Sequence, residues 1–299
     1  MGTAVSKWAI FLLVLGGACQ AGYFSIAKFL TSSGIPAFGC VLWQIIGGIL
    51  LFALLCLRKG VWPNFTKSDL TFHLVVALSN ILVPNLIVFI SASHLPAGAL
   101  ALLGTMSPVC TYLLVVLLRI ERIDFLRGTG VALGLLGAVL LATPKVDYGA
   151  SFDPLWLLLA LLLPMSFATS NVWCQKKWPT GQTPEALVLG MLIVSLVLLF
   201  PVCLITETLT KPWGDSINLT LGLWVYVLAA NAYIFLGFEI IRLAGAVFLS
   251  QIGYVVALSG LVLGWCFFSE TPNLWVLVAA GLIFAGLALV TRQQQKVAS

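Results

Sequence analysis

The side chains with chemical potential in this chain are amides, hydroxyls and aromatic rings set into apolar stretches. Gly16, Gln20, Phe24 and Lys28 lie four apart, which puts them on one face of a helix. Pro164, Phe167, Asn171 and Gln175 follow nearly the same spacing. Asn231, Phe235 and Glu239 share a face, with Arg242 one turn on. Asn80 and Pro84 share a face and Asn85 adjoins them. Thr105 and Ser107 precede Pro108, and Ser250, Gln251 and Tyr254 form a further polar group. This is recognition chemistry. Amides and hydroxyls offer uncharged donors and acceptors, rings offer flat apolar walls, and a proline-freed carbonyl can take an ammonium or hydroxyl. Cation–π contact also suits such rings, at about 0.5–2 kcal/mol.

The apparatus of catalysis is missing. His73 and His94 are the only histidines, and neither has a second ligand at metal spacing. There is no HExxH, no GxSxG and no GxxxxGK[ST] loop. The chain is expected to be no enzyme and to need no cofactor or metal. Seven cysteines lie within or at the edge of apolar runs without a CxxC pair, and read as free, small hydrophobes.

Composition sets the solvent. Of 299 residues, 61% are hydrophobic and 8% charged, against about 25% charged in soluble domains. This excludes a soluble enzyme, a disordered chain and a nucleic-acid partner, and points to a lipid bilayer as the surroundings; a small-molecule substrate is expected only if the chain is a transporter. The gaps between charges then divide the chain. Charge-free runs cover 8–27, 29–57, 70–118, 128–144, 154–175, 186–206, 216–238, 243–269 and 271–291. A helix needs about 20 apolar residues to cross a bilayer. The run 70–118 holds two spans, parted at Ser93-His94-Leu95-Pro96, where proline stops a helix. The expectation is an all-α integral membrane protein of ten transmembrane helices, the first retained as structure rather than cleaved as a leader.

Lys and Arg gather on one side of this topology. Lys7, Arg58, Lys59, Lys67, Arg119, Arg122, Arg127, Lys176, Lys177, Arg242, Arg292 and Lys296 face Lys28, Lys145 and Lys211 on the other. The positive-inside rule puts both termini in the cytoplasm of a plasma membrane, the inner membrane in a bacterium.

The chain also repeats itself at an offset of about 148 residues. Gly34-Ile35-Pro36 matches Gly181-Gln182-Thr183-Pro184, Ala97-Gly98-Ala99 matches Ala244-Gly245-Ala246, and Leu140-Leu141-Ala142-Thr143 matches Ala288-Leu289-Val290-Thr291. Asn80 sits near the level of Asn231. Five spans per half is an odd number, so the halves, 1–146 and 147–299, are inverted. Inverted repeats recur in secondary transporters, where they allow alternating access.

With its five-plus-five spans, the small-residue openings at 97 and 244, Pro108, the acidic Glu121 and Glu270 after those spans, and the glycines 128, 130, 134, 137, 281 and 286 in the fifth helices, the chain resembles the drug/metabolite transporter superfamily, in particular its ten-helix EamA-type members. Val255 stands where a second proline would complete the pattern. The resemblance implies a central cavity between the halves and carriers of amino acids, other metabolites, sugars or toxic cations, many of them exporters. Export of amino acids or similar amphipathic metabolites is the leading expectation; a sugar or organic-cation carrier is the alternative, and a membrane enzyme or non-transporting membrane partner the reading from another class.

On that expectation Gln20, Phe24, Asn80, Asn85, Thr105, Ser107, Phe167, Asn171, Gln175, Asn231, Phe235, Gln251 and Tyr254 line the cavity. The competing reading of each is an interhelical hydrogen bond, worth about 0.6 kcal/mol on average. Lys28, Pro84, Pro164, Glu239 and Arg242 are candidates for gating or proton coupling, with interface anchoring, plain kinks and a snorkelling pair as their ordinary readings. Gln44 beside Trp43 reads as a packing residue, and Gly130-x3-Gly134 and Gly260-x3-Gly264 read as close-packing scaffold.

Overall fold

The computed structural model describes residues 7–92, 94–95, 97–104, 106–117, 125–141, 154–211, 216–249, 252–268 and 274–297. These residues form helices throughout, without a strand among them. In chain order they are α1 (Lys7–Ser32), α2 (Ala37–Lys59), α3 (Lys67–Val76), a π turn (Ala77–Leu82) running into α4 (Val83–Ala92), α5 (Ala97–Gly104), α6 (Ser107–Leu117), α7 (Phe125–Leu141), α8 (Pro154–Ala160), α9 (Leu162–Lys177), α10 (Pro184–Ile205), α11 (Ile217–Leu249), α12 (Ile252–Phe268) and α13 (Leu274–Val297). Six stretches are long and apolar enough to cross a membrane, and four shorter apolar helices accompany them.

The most extensive helix pairs are made between halves. Span 1 (α1) packs on α11 and α12, and its counterpart span 6 (α8 and α9) packs on α3, α4 and α6. Span 2 (α2) packs on span 7 (α10), α5 on α12, and span 5 (α7) on span 10 (α13). Exchanging the halves maps this pattern onto itself, as a two-repeat fold requires. The connections agree: Gly34 (φ 81°) and Gly181 (φ 76°) both hold left-handed backbone, which glycine adopts without steric cost, just before α2 and α10.

Two helices are interrupted where proline removes a donor. Pro84 has no N–H for the carbonyl four residues back and its ring would crowd that turn. The preceding residues widen into a π turn, and the N–H of Val83 bonds the carbonyl of Leu78, five back. Pro164 stands four residues after Ala160, and there α8 ends and α9 begins. The span 3–4 boundary falls at the expected proline, with α4 ending at Ala92 and α5 opening at Ala97. The expected boundary between spans 8 and 9, near Arg242, is not a helix end. α11 continues to Leu249, because no proline stands there and 243–249 is a run of small and apolar residues. A charge marks where a membrane ends; only backbone chemistry ends a helix.

Gly134 and Gly137 of α7 and Gly286 of α13 are scaffold. A Cβ on Gly286 would stand 2.4 Å from the Gly130 carbonyl oxygen and 2.7 Å from the Gly134 nitrogen. One on Gly137 would stand 2.9 Å from the Ala279 carbonyl. At Gly286 the two backbones meet with nothing between them.

Candidate functional site

One group of polar side chains gathers where α2, α4 and α11 meet. The buried hydroxyl of Tyr226 lies 2.7 Å from Gln44 Oε1 and 3.1 Å from Asn85 Oδ1, its single proton shared between two amide oxygens. Asn85 donates its own amide to the Ile81 carbonyl at 2.7 Å, at the end of the π turn. Asn231 donates to the backbone carbonyls of Gln44 (3.0 Å) and Val227 (2.8 Å). It can come this close to α2 because position 48 is glycine: a Cβ there would lie 2.3 Å from Asn231 Oδ1. Aromatic rings wall the group. The Tyr226 ring centroid is 5.6 Å from Tyr23 and 5.0 Å from Phe89, and Tyr23 is 5.7 Å from Tyr233.

Three polar atoms of this group, Tyr23 Oη, Gln44 Nε2 and Asn231 Oδ1, are buried without a hydrogen-bond partner. Leaving a buried polar atom unpaired costs about 1–3 kcal/mol. These are an amide N–H group, a phenolic hydroxyl and an amide oxygen, with no formal charge among them.

A second group joins spans 3, 4 and 6. Asn80 donates to Ser170 Oγ at 3.1 Å, Ser166 to the Ser79 carbonyl at 2.9 Å, and Asn171 to Ser107 Oγ at 3.3 Å. Asn80 Oδ1 is left unpartnered. Phe167 meets Tyr233 edge-on with centroids 6.5 Å apart, which links the two groups.

Of the expected lining residues, Asn80, Asn85, Ser107, Phe167, Asn171 and Asn231 thus sit in these two groups. Gln20 is buried on α1, and Phe24 is buried against Gly104 of α5. Phe235 packs on Phe52, and Tyr254 stacks on Phe284 at 5.6 Å. Lys28 is half-buried in the last turns of α1. Thr105 and Gln251 lie outside the described residues, as does the side chain of Gln175. Glu239 and Arg242 form the three-apart pair, Arg242 Nη2 at 2.5 Å from Glu239 Oε2, with the acid nearly buried and the guanidinium half-exposed.

The structure brings forward four residues: Gln44, which the sequence marks only as packing, Lys59, which it marks only as a boundary charge, and Tyr226 and Glu185, which it does not single out. Gln44 and Tyr226 sit in the middle of the first group; a lone amide beside a tryptophan and a tyrosine in an apolar run gave no periodic signal. Lys59 and Glu185 form an ion pair between the end of α2 and the first turn of α10, with the Glu185 side chain only 3% exposed. Each looked like an ordinary boundary charge, and only the fold shows them facing. Removing Lys59, itself half-exposed, would leave the buried Glu185 carboxylate without its cation, and a buried charge is costly unless paired. Lys59→Met should therefore lower the melting temperature clearly, and Glu185→Gln in the same chain should restore most of it. Thermal unfolding of the two variants in one detergent checks this; equal melting temperatures would show that the pair carries no weight.

The named bonds that join different spans all run from the first half of the chain to the second. Trp43 Nε1 to the Thr210 carbonyl, at 2.9 Å, does the same at the other end of the α2–α10 pair. Among the described residues no group of three His, Cys, Asp or Glu could hold a metal ion. The arrangement offers uncharged donors and acceptors where the two halves of the chain meet.

Comparison with known proteins agrees with this architecture. A solved crystal structure superimposes with a TM-score of 0.60 over 96% of this chain and 99% of that one, at 18% identity, which speaks to the fold. The chain is similar to protein PecM of Dickeya dadantii (strain 3937), 28% identical over 268 residues, 88% of this chain and 86% of PecM. The EamA-like transporter family matches twice, over residues 7–143 and 154–292. Matched once over each half, this chain is a member of the EamA-like transporter family, a multi-pass membrane transporter of small molecules.

Proposed function

We propose that the protein is a secondary carrier that exports amino acids or similar small amphipathic metabolites by alternating access, and that it is not an enzyme. Its path follows the interface between residues 1–146 and 147–299. Both termini face the cytoplasm, as the Lys and Arg distribution implies. The observation that supports this reading is the placement of the polar bonds: Tyr226–Gln44, Tyr226–Asn85, Asn231–Gln44, Asn80–Ser170 and Asn171–Ser107 all cross between halves. Bonds so placed must be broken and remade when the halves move, and they leave unpaired donors and an acceptor for a head group. A ligand with separated charges can be held by amides and hydroxyls, while a multiply charged one would call for a lysine or arginine.

The rings of Tyr23, Tyr226 and Tyr233 favour a second reading, an organic-cation carrier, because a cation is attracted to the faces of such rings. Counterflow in proteoliposomes decides between them. The panel is labelled amino acids, sugars and quaternary amines, and an Asn80→Ala, Asn231→Ala double variant runs alongside. Accelerated exchange of amino acids, lost in the variant, is the expected result. Exchange of quaternary amines alone would transfer the assignment to the second reading. No exchange of any class by folded protein would overturn both.

A further inference from the structure

His73 is a fully buried imidazole on α3, close to the end where Lys59 pairs with Glu185. Its ring fills a notch on α10 that exists because residue 190 is glycine: a Cβ there would stand 2.4 Å from the ring's Cε1, 2.6 Å from Nε2 and 2.8 Å from Nδ1. Nε2 is 3.2 Å from the Asn64 carbonyl, and Nδ1 is buried with no partner. With Nε2–H donating to Asn64, Nδ1 keeps a lone pair facing no donor. The neutral ring fits this dry notch. A proton added to Nδ1 creates a second donor and a full charge with no acceptor in reach, and burying an unpaired charge costs far more than burying a neutral group.

A destination for the charged ring lies one turn away. Asp69 precedes His73 by four residues on α3, and at present accepts from the Thr66 hydroxyl at 2.7 Å. Among the ionisable groups on the surrounding elements (Glu185 on α10, Lys59 and Cys56 on α2, Cys174, Lys176 and Lys177 on α9, and Asp69) it is Asp69 that is an acid on the same helix, one turn before the imidazole. An Asp and a histidine cation four apart on a helix surface attract each other.

The geometry points to His73 as a proton-binding site that controls this end of the molecule: the neutral ring seats α10 on α3, and the protonated ring leaves the Gly190 notch for Asp69 and lets the end open. The proton comes from water at that end and adds to Nδ1; no other bond changes. Linkage makes the effect reciprocal, so opening favours protonation. In a carrier this couples the conformational cycle to pH, a consequence that rests on the alternating-access reading, although the site itself does not.

The test measures opening without transport. Spin labels on Trp62→Cys and Thr180→Cys, in a Cys266→Ser background in lipid nanodiscs, report the distance between the two connections at this end. The long-distance fraction should rise at least about fivefold between about pH 8 and about pH 5.5, the low end of ordinary coupling factors. His73→Phe should abolish the rise, Asp69→Asn should weaken it, and Gly190→Ala, which evicts the ring, should show the long distance at both pH values. A wild-type response surviving in His73→Phe overturns the proposal. Should that variant fail to fold, a Gly190→Ala protein with the wild-type distance and response overturns it equally. Counterflow on the same proteins separates the two claims: a pH-driven opening without exchange leaves the proton site standing and removes the carrier, and exchange without a His73-dependent opening does the reverse.

Discussion

Gly286→Val is expected to abolish the sharp, monodisperse peak of the detergent-solubilised protein, and Gly286→Ala to lower its melting temperature markedly. The reason is what stands opposite. The added Cβ would meet the Gly130 carbonyl oxygen at 2.4 Å, the Gly134 nitrogen at 2.7 Å and the Gly134 Cα at 3.1 Å. These are backbone atoms and cannot rotate aside as a flexible side chain could. The helices must part by most of an ångström, and a gap of about 0.5–1 Å already forfeits a quarter to a half of each dispersion contact it opens. In a bilayer no hydrophobic force compensates, because lipid tails are as apolar as the helices they replace; packing itself holds the pair together. Overpacking typically costs about 1–3 kcal/mol, and a clash against backbone belongs at or above the top of that range. Gly281→Ala is the matched control, since nothing lies within 4 Å of the Cβ it adds. Size-exclusion profiles and thermal unfolding of the three variants check this; equal behaviour of Gly286→Ala and Gly281→Ala would contradict the packing of α7 on α13.

The second large effect is expected at Tyr226. Tyr226→Phe keeps the ring and its neighbours Tyr23 and Phe89 but deletes the hydroxyl that serves both Gln44 and Asn85. Two magnitudes compete. An average interhelical hydrogen bond in a membrane is worth about 0.6 kcal/mol, because alternatives are usually at hand. A buried acceptor left unpaired costs about 1–3 kcal/mol. Gln44 and Asn85 are both buried, and Gln44 already has one unpaired amide nitrogen, so the larger figure governs. The bonds lost join the two halves, so the cost falls on their relative placement. Counterflow should drop by about tenfold, the factor that 1.36 kcal/mol represents in a rate, with only a modest fall in melting temperature. Pairing Tyr226→Phe with Gln44→Leu should add little further loss, because both remove the same bond. Wild-type transport by Tyr226→Phe would make this group packing and nothing more.

The contrast between these positions shows what a sequence can disclose. The spans were legible because a bilayer demands long charge-free runs, and the charges fell into place around them. The scaffold glycines were legible because close approach needs small residues at helical spacing, and Gly130, Gly134, Gly137 and Gly286 follow that rule. Asn80, Asn85 and Asn231 announced themselves as costly amides in hydrocarbon. Which amides meet was hidden, since that depends on pairing between halves that are more than a hundred residues apart, as Tyr226 and Gln44 are. Lys59 and Glu185 were hidden for another reason: a charge at the edge of a span looks the same whether it faces water or a partner. The end of α11 was missed because the charged pair Glu239 and Arg242 reads as a boundary, yet the backbone runs through it to Leu249.

The π turn at Ala77–Leu82 works as a phase shifter in the chain's angular register. It holds one residue more than a regular turn would, so the face α4 presents is displaced by about 100° from the one α3 would have projected forward. Asn80 and Asn85 can thereby serve different neighbours, Ser170 on one side and Tyr226 on the other. Insertions and deletions in this stretch are therefore changes of azimuth rather than of length. Losing one residue between 77 and 82 would barely shorten the span, but it would turn every side chain of α4 away from its partner, Asn85 from Tyr226 first among them.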